Sequence, residues 1–128
     1  MVNEESVLKN AIAYLAETFA EDGVLVLPKN QERPPSIPCI TIVVSTSEAM
    51  HGINNEILAT VRIHATVYAS NVYAPFGDSD GVMTIFDKLN VAMAARHYSR
   101  INQTEPYRNA QYDVWNKDGY FTKKTNEF

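Results

Sequence analysis

Cysteine, glycine and long apolar runs are all scarce in this 128-residue sequence. Its single cysteine, Cys39, excludes a disulfide within the chain and is typical of a protein kept in a reducing compartment. No apolar run approaches the roughly 20 residues needed to span a bilayer. The first residues, Met-Val-Asn-Glu-Glu-Ser, are acidic, whereas a secretory signal is basic and then apolar. We therefore expect synthesis in the cytoplasm and no membrane partner.

Motifs for catalysis are also missing. Cys39 follows a proline and precedes Ile-Thr-Ile-Val-Val, so a small buried side chain is a better interpretation than a nucleophile paired with a histidine. Ser45-Thr46-Ser47 lacks the Gly-x-Ser-x-Gly elbow of a hydrolase. The five glycines form no phosphate-binding loop of the Gly-x-x-x-x-Gly-Lys type. The sequence therefore predicts no catalytic residue and no nucleotide cofactor, although an enzyme with an unrecognised site stays an alternative.

Metal binding and nucleic-acid binding find little support. Residues 76–81 resemble part of a calcium loop, but Phe76 would be the first ligand and Asp87 the last, in place of Glu. The three histidines lie far apart, and none has a Cys or carboxylate at metal-site spacing. The net charge of −4 lacks the basic excess that gripping a nucleic-acid backbone usually requires. We predict no metal, no cofactor and no specific nucleic-acid binding.

The clearest positive signal is the alternation of apolar and polar residues over positions 57–70. Side chains on a strand switch face at every residue, so this segment predicts a long strand with one dry and one wet face. The predicted dry face is Val61, Ile63, Ala65, Val67 and Ala69. The predicted wet face is Thr60, Arg62, His64, Thr66, Tyr68 and Ser70. A broad polar surface of this kind favours a protein that assembles with others.

Helical spacing marks two segments. Asn3 is a suitable N-cap for a predicted helix that stops near Ala20. A second helix is predicted after the turn-rich residues 71–81, with Asp78 or Ser79 as its cap. The predicted apolar faces are Leu8, Ala11, Ile12, Leu15, Ala16 and Phe19 in the first helix, and Val82, Ile85, Phe86, Leu89 and Met93 in the second.

Before the long strand, residues 24–27 and 39–45 are predicted strands, and residues 46–56 are a predicted hairpin loop. Residues 28–38 hold four of the six prolines, which remove backbone donors and fix φ. This stretch, which includes Arg33, Pro34 and Pro35, is either an extended surface arm or an ordinary long loop.

After the second helix, residues 97–106 are interpreted as a polar connector. Asp118-Gly119 between two aromatic-bearing runs predicts a hairpin, with strands at 110–115 and 120–122 and a turn between them. The whole prediction is α+β, a single domain over residues 1–128. Its mostly antiparallel sheet has about four to five strands, and two helices pack on one face.

Several segments carry a resemblance. They are Leu8-Lys-Asn-Ala-Ile12, Tyr14-Leu15, Pro35-Ser-Ile-Pro-Cys-Ile-Thr-Ile42, Val61-Arg-Ile-His-Ala-Thr-Val-Tyr68 and Val82-Met-Thr-Ile-Phe-Asp-Lys-Leu89. In this order, with an aromatic-bearing strand at the end, they resemble the tail terminator (tail completion) proteins of long-tailed bacteriophages. Those are small α+β subunits of similar length.

The resemblance implies a structural virion protein at the tail–neck junction, assembled in the host cytoplasm. Such subunits form a ring, typically of six, that caps the tail tube and presents a surface to the head. The implied partners are further copies of the chain, the tail tube protein and a head-completion or neck protein, while DNA passes through the ring without specific binding. We expect the subunit or tube interface to involve Thr60, Arg62, His64, Thr66, Tyr68, Arg33, Pro34 and Pro35.

Two other functions stay open. One is a head-closure or other neck connector of the same virion. The other is a small cytoplasmic binding module with its ligand on the sheet face around Arg62, His64 and Tyr68.

Overall fold

The computed structural model describes residues 3–29, 36–51, 56–73, 81–110 and 113–125. Within these ranges it contains the α-helices α1 (Glu4–Thr18) and α2 (Val82–Ala95) and a short 3-10 helix at Ala20–Asp22. The strands in the same ranges are β1 (Leu25–Pro28), β2 (Cys39–His51), β3 (Glu56–Ala69), β4 (Ser99–Gln103), β5 (Tyr107–Asn109) and β6 (Val114–Thr125).

All the described strands belong to one six-stranded sheet of order β1-β2-β3-β6-β4, with β5 also paired to β6. The β1–β2 pair is parallel, and the other pairs are antiparallel. The predicted single α+β domain with a mostly antiparallel sheet is confirmed, with one strand more than the upper number expected. The central strands β2 and β3 pair over their whole length, from Cys39 opposite Tyr68 to His51 opposite Glu56.

The α1 helix begins where the sequence indicates. The Asn3 side chain accepts hydrogen bonds from the backbone N–H groups of Glu5 (2.9 Å) and Ser6 (3.2 Å), which satisfies two of the free donors at the helix start. The helix ends at Thr18, two residues before the predicted end at Ala20. The 3-10 turn follows, and the chain then reverses through Gly23, whose φ of 68° is easily adopted only without a side chain.

The main core lies between both helices and one face of the sheet, which we call the inner face. Every residue of the predicted dry face of β3 is buried there, and so are the predicted apolar residues of α2. Leu15 in α1 and Phe19, which directly follows the helix, are fully buried in the same cluster. The assignment of the two faces of β3 is therefore confirmed.

The predicted hairpin at Asp118-Gly119 is wrong. Both residues lie in the middle of β6, which runs unbroken from Val114 to Thr125. A Cβ on Gly119 would lie 2.7 Å from a ring carbon of Phe86. The glycine is therefore explained by close packing of α2 on the strand, a role that glycine also takes in sheets.

The predicted polar connector at residues 97–106 is also wrong in part, because β4 lies inside it. All five residues of β4 are exposed, so no apolar alternation marked it as a strand. The connector that does exist before β4 is a tight turn, in which His97 has a φ of 67°. The predicted hairpin loop at residues 46–56 is shorter than expected, since β2 extends to His51 and β3 begins at Glu56.

Some predictions fall on residues outside those described. These include the capping of α2 by Asp78 or Ser79, and the arm residues Arg33, Pro34 and Pro35. The described N-cap of α2 is Gly81, which supplies no side-chain hydrogen bond.

Candidate functional site

The side of the sheet opposite the helices, which we call the outer face, carries the polar residues of β3. Strand register places the outer-face side chains of β3 next to those of β6, because directly paired residues share a face. His64 pairs with Tyr120, and Thr66 pairs with Asp118. This pairing brings the chemically distinctive residues of two distant segments together.

Asp118 is the centre of a hydrogen-bonded group on the outer face. The Thr66 hydroxyl donates to its Oδ1 at 2.6 Å, and the Tyr107 hydroxyl donates to its Oδ2 at 2.7 Å. The Nε2 of His64 lies 2.9 Å from Oδ1. We call these four residues the Asp118 cluster. Since Asp118 is only 7% exposed, these contacts replace most of the water that a carboxylate normally binds.

Hydrogen bonding and burial shift the pKa values of two members of the cluster, Asp118 and Tyr107. Burial by itself would raise the pKa of Asp118, but the hydrogen bonds from His64, Thr66 and Tyr107 outweigh it and lower that pKa to about 2. Burial and the hydrogen bond to Asp118 raise the pKa of Tyr107 to about 12. At neutral pH the carboxylate is therefore ionised and the phenol is protonated. An aspartate surrounded by donors in this way orients its neighbours, since both of its carboxylate oxygens are engaged in hydrogen bonds.

Thr66 and Tyr68 are buried, which corrects the prediction that they lie on a wet face. Their exposed fractions are 1% and 4%. Tyr68 packs with Cys39 and Val114 in a second apolar cluster on the outer face. Alternation reports which side of a strand a residue occupies, but it does not report whether other segments cover that side.

Cys39 is completely buried in this second cluster, which confirms its interpretation as a small core side chain. Burial raises the pKa of its thiol to about 11. The thiol is therefore protonated at neutral pH, and a protonated, inaccessible thiol is a poor nucleophile.

The open part of the outer face lies at the other half of β3. There a shallow depression of about 210 Å³ includes Arg62 and His64 in its lining. The His64 ring stacks on Tyr120 with a centroid distance of 4.4 Å and an interplanar angle of 16°. Val43 and Ile101 also line it and are 41% and 58% exposed. We call this region the Arg62 depression.

The Arg62 depression adjoins an open sheet edge. β4 is the last strand on its side of the sheet, and every one of its residues is exposed. An edge strand presents unpaired backbone donors and acceptors that another chain can use. At the opposite edge, β1 exposes Leu25, whose side chain shares the outer face with Cys39.

The predicted interface residues thus separate into three groups. Arg62 and His64 lie together at the depression, and Thr60 lies farther along the same strand. Thr66 and Tyr68 are buried, and the arm residues fall outside the described ranges. Sequence reasoning missed Ile101 and Tyr120 as their neighbours. The only available signal was Val43, an apolar residue on the polar side of its strand.

Across the described ranges, no helix is long and apolar enough to cross a membrane. The same residues contain no group of three or more His, Cys, Asp or Glu side chains suited to holding a metal ion. No protein-family model and no curated protein matches the chain.

Proposed function

We propose that the chain is a structural subunit of a bacteriophage virion, which assembles with its own copies into a tail terminator ring. The proposal begins from the sequence resemblance to that family. The observation that carries it further is the Arg62 depression, where exposed apolar side chains lie beside an open sheet edge. A ring requires a surface on each subunit at which the next subunit can bind.

The composition of the depression suits a protein interface. Val43 and Ile101 offer apolar area, and Arg62 and the stacked His64–Tyr120 pair offer charge and aromatic surface. Arginine and aromatic residues are enriched where proteins meet. Grouped exposure of apolar side chains is a common mark of such a contact.

Ring closure requires two different surfaces on each subunit, because head-to-tail contacts produce rings. The sheet has two unlike edges, the exposed strand β4 and the parallel strand β1 with its exposed Leu25. We propose that the β4 side of one subunit, with the Arg62 depression, meets the β1 side of the next. The net charge of −4 agrees with a channel to which DNA does not adhere.

The test is assembly, measured by light scattering over a range of concentrations with negative-stain images of the same samples. Tail tubes are added in a second series, since a template can be needed for closure. Ile101→Asp and Arg62→Glu are expected to abolish rings and tube capping, because they place charge repulsion and desolvation cost in the contact. Val91→Asp is the matched control, since Val91 is an exposed valine on α2, on the inner-face side.

Normal rings from Ile101→Asp would contradict the proposed surface. A wild-type chain that forms no ring with or without tail tubes would contradict the terminator function itself. Binding to emptied heads but not to tail tubes would favour the head-closure or neck protein.

A small-ligand binding module is the second candidate, favoured by the size of the Arg62 depression and its cationic lining. Ligands that bind the native state raise the unfolding temperature by mass action. A thermal-shift screen of small anions, repeated with Arg62→Gln, would support this function if stabilisation occurs and is lost in the variant.

A further inference from the structure

A second cavity lies on the inner face, well separated from the Asp118 cluster. It has a volume of about 190 Å³ and opens between α1, the end of α2 and the sheet. We call it the α1–α2 cavity. Its lining residues are Val7, Asn10, Ala11, Tyr14, Leu15, Ile63, Met93, Arg96, Tyr98 and Lys123.

The floor of the α1–α2 cavity is aliphatic. Leu15, Ile63 and Met93 belong to the main core and are almost fully buried, and Val7 packs against them. A floor of this kind favours an alkyl chain, because transfer of each CH₂ from water to an apolar surface is favourable.

Two cations stand at the rim of this apolar floor. The Arg96 guanidinium lies 4.1 Å from the centre of the Tyr14 ring, and Lys123 Nζ lies 5.5 Å from the centre of the Tyr98 ring. Hydrogen bonding holds Tyr14 in place, because its hydroxyl donates to the Ala92 carbonyl at 2.9 Å. The rings therefore position both cations beside the same opening.

Neither rim cation forms an ion pair with any residue that the structure describes, although the chain carries more acidic than basic residues. Lys9, Lys88 and Arg108 are each paired with a carboxylate among the same residues, whereas Arg100 and Lys124 are not. Arg96 and Lys123 differ from these exposed cations because both line a cavity with an apolar floor. An anion bound at the rim would therefore gain two charge partners without displacing a carboxylate of the described chain.

We infer that the α1–α2 cavity binds a short aliphatic carboxylate, with the alkyl chain on the floor and the carboxylate between Arg96 and Lys123. The volume sets the length. Apolar cavities of about 150 Å³ are known to hold benzene, so a cavity of about 190 Å³ suits an apolar group of about six carbon atoms. Hexanoate meets this limit, with its five-carbon tail inside and its carboxylate at the rim. This inference is independent of ring assembly.

Hexanoate binding is measured by titration of the native chain, with backbone amide NMR shifts to locate the site. Hexan-1-ol tests the role of charge, and dodecanoate tests the limit on length. We expect hexanoate to shift amides around the cavity and to bind more tightly than hexan-1-ol. Dodecanoate is expected to gain nothing over hexanoate, because its additional carbons remain in water.

The variant that tests the cations is Arg96→Gln with Lys123→Gln. It should weaken hexanoate binding roughly tenfold, since two partly exposed ion pairs together contribute about 1–2 kcal/mol. Arg100→Gln with Lys124→Gln removes the same charge at exposed positions that do not line the cavity, and it should leave binding unchanged. Ala11→Leu fills the cavity from α1 and should abolish binding of both hexanoate and hexan-1-ol.

Equal binding by the two charge variants would overturn the inference, as would amide shifts confined to the outer face. Equal affinity for hexan-1-ol and hexanoate would show an apolar cavity without anion recognition, which also contradicts it.

Discussion

The two faces of the sheet are both dry near the middle of β3, but they are dry for different physical reasons. On the inner face, Ala65 and Val67 are buried in the apolar core that lies between the sheet and the helices. On the outer face, Thr66 between them is equally buried, and its hydroxyl donates to Asp118. Apolar burial needs only volume and shape, whereas burial of a carboxylate needs donors at fixed positions. The stability of the outer face therefore depends on hydrogen-bond donors at fixed positions, whereas that of the inner face does not.

The contrast continues along the sheet. The inner face is covered by α1 over β1 and β2 and by α2 over β3 and β6, while the outer face passes from the buried Asp118 cluster to the open Arg62 depression. His64 belongs to both regions, since it contacts Asp118 and lines the depression. The buried cluster thus holds in place one wall of the surface that we propose for assembly.

The largest loss of stability is expected from a charged side chain introduced on the inner face. Val67→Asp places an unpaired carboxylate in the main core, and we expect it to lower the free energy of unfolding by about 4 kcal/mol or more. Val43→Asp makes the same change at an exposed outer-face position and should cost less than about 1 kcal/mol. Denaturant unfolding followed by circular dichroism measures both. A stable, fully folded Val67→Asp protein would show that the two faces are reversed.

Removing the charge of the Asp118 cluster should have the next largest effect. Asp118→Asn keeps the shape but loses charge-assisted hydrogen bonds from three side chains, at a cost of about 2–3 kcal/mol. Asp113→Asn is the control, because Asp113 is an exposed aspartate paired with Arg108. Loss of this exposed ion pair should lower the free energy of unfolding by at most about 1 kcal/mol. Urea unfolding measures the free energy of unfolding of both variants. Equal losses for Asp118→Asn and Asp113→Asn would contradict a special contribution of the Asp118 cluster to stability.

Acid should weaken the outer face selectively. The pKa of Asp118 is lowered from 3.8 to about 2 on folding, so its contribution is present above pH 4 and is lost as the pH falls from about 4 towards 2. A shift of this size corresponds to roughly 2 kcal/mol. The difference in unfolding free energy between wild type and Asp118→Asn should shrink by roughly two-thirds of this amount between pH 6 and pH 2.5, since the remainder is lost only below the folded-state pKa. A constant difference would contradict the lowered pKa.

The smallest effect concerns the contact of α2 with β6. Gly119→Ala brings a Cβ to 2.7 Å from the Phe86 ring, and overpacking of this kind costs about 1–3 kcal/mol. In the Phe86→Leu background the added cost should be smaller, because the ring carbons that collide are gone.

Gly23→Ala supplies the control for that cycle. Its cost comes from the positive φ, since no atom lies within 4 Å of the added Cβ, so Phe86→Leu should not change it. Chevron or equilibrium unfolding data on the six proteins of the two cycles give both coupling energies. Additive costs for Gly119→Ala and Phe86→Leu would contradict the contact.

Local signals in the sequence predicted the helices and the inner face. Asn3 caps α1 through its own side chain, and the apolar spacing of α2 matches the residues that the core buries. The N-cap and the apolar spacing each depend on residues a few positions apart, so both can be predicted without knowledge of the fold. β4 gave no such signal because all its residues are exposed, and it exists through pairing with β6.

The Asp118-Gly119 pair shows where local rules fail. The dipeptide favours a turn by its own conformational preferences. In the folded chain Asp118 receives hydrogen bonds from β3 and β5, and Gly119 accommodates Phe86 from α2. The hydrogen-bond donors Thr66 and Tyr107 lie 52 and 11 residues from Asp118 in the sequence. Tertiary contacts outweighed the local preference because β6 gains them only as an extended strand.

The sequence by itself determined the α+β class, the boundaries of α1 to within two residues and the dry side of β3, since periodicity and capping act over short distances. Only the tertiary structure decided that Thr66 and Tyr68 are buried, that Val43, Ile101 and Tyr120 line the same depression as Arg62, and that the cations Arg96 and Lys123 share one cavity. Whether a polar residue is covered, and by what, depends on segments far away in the chain, and their meeting is a property of the packed fold.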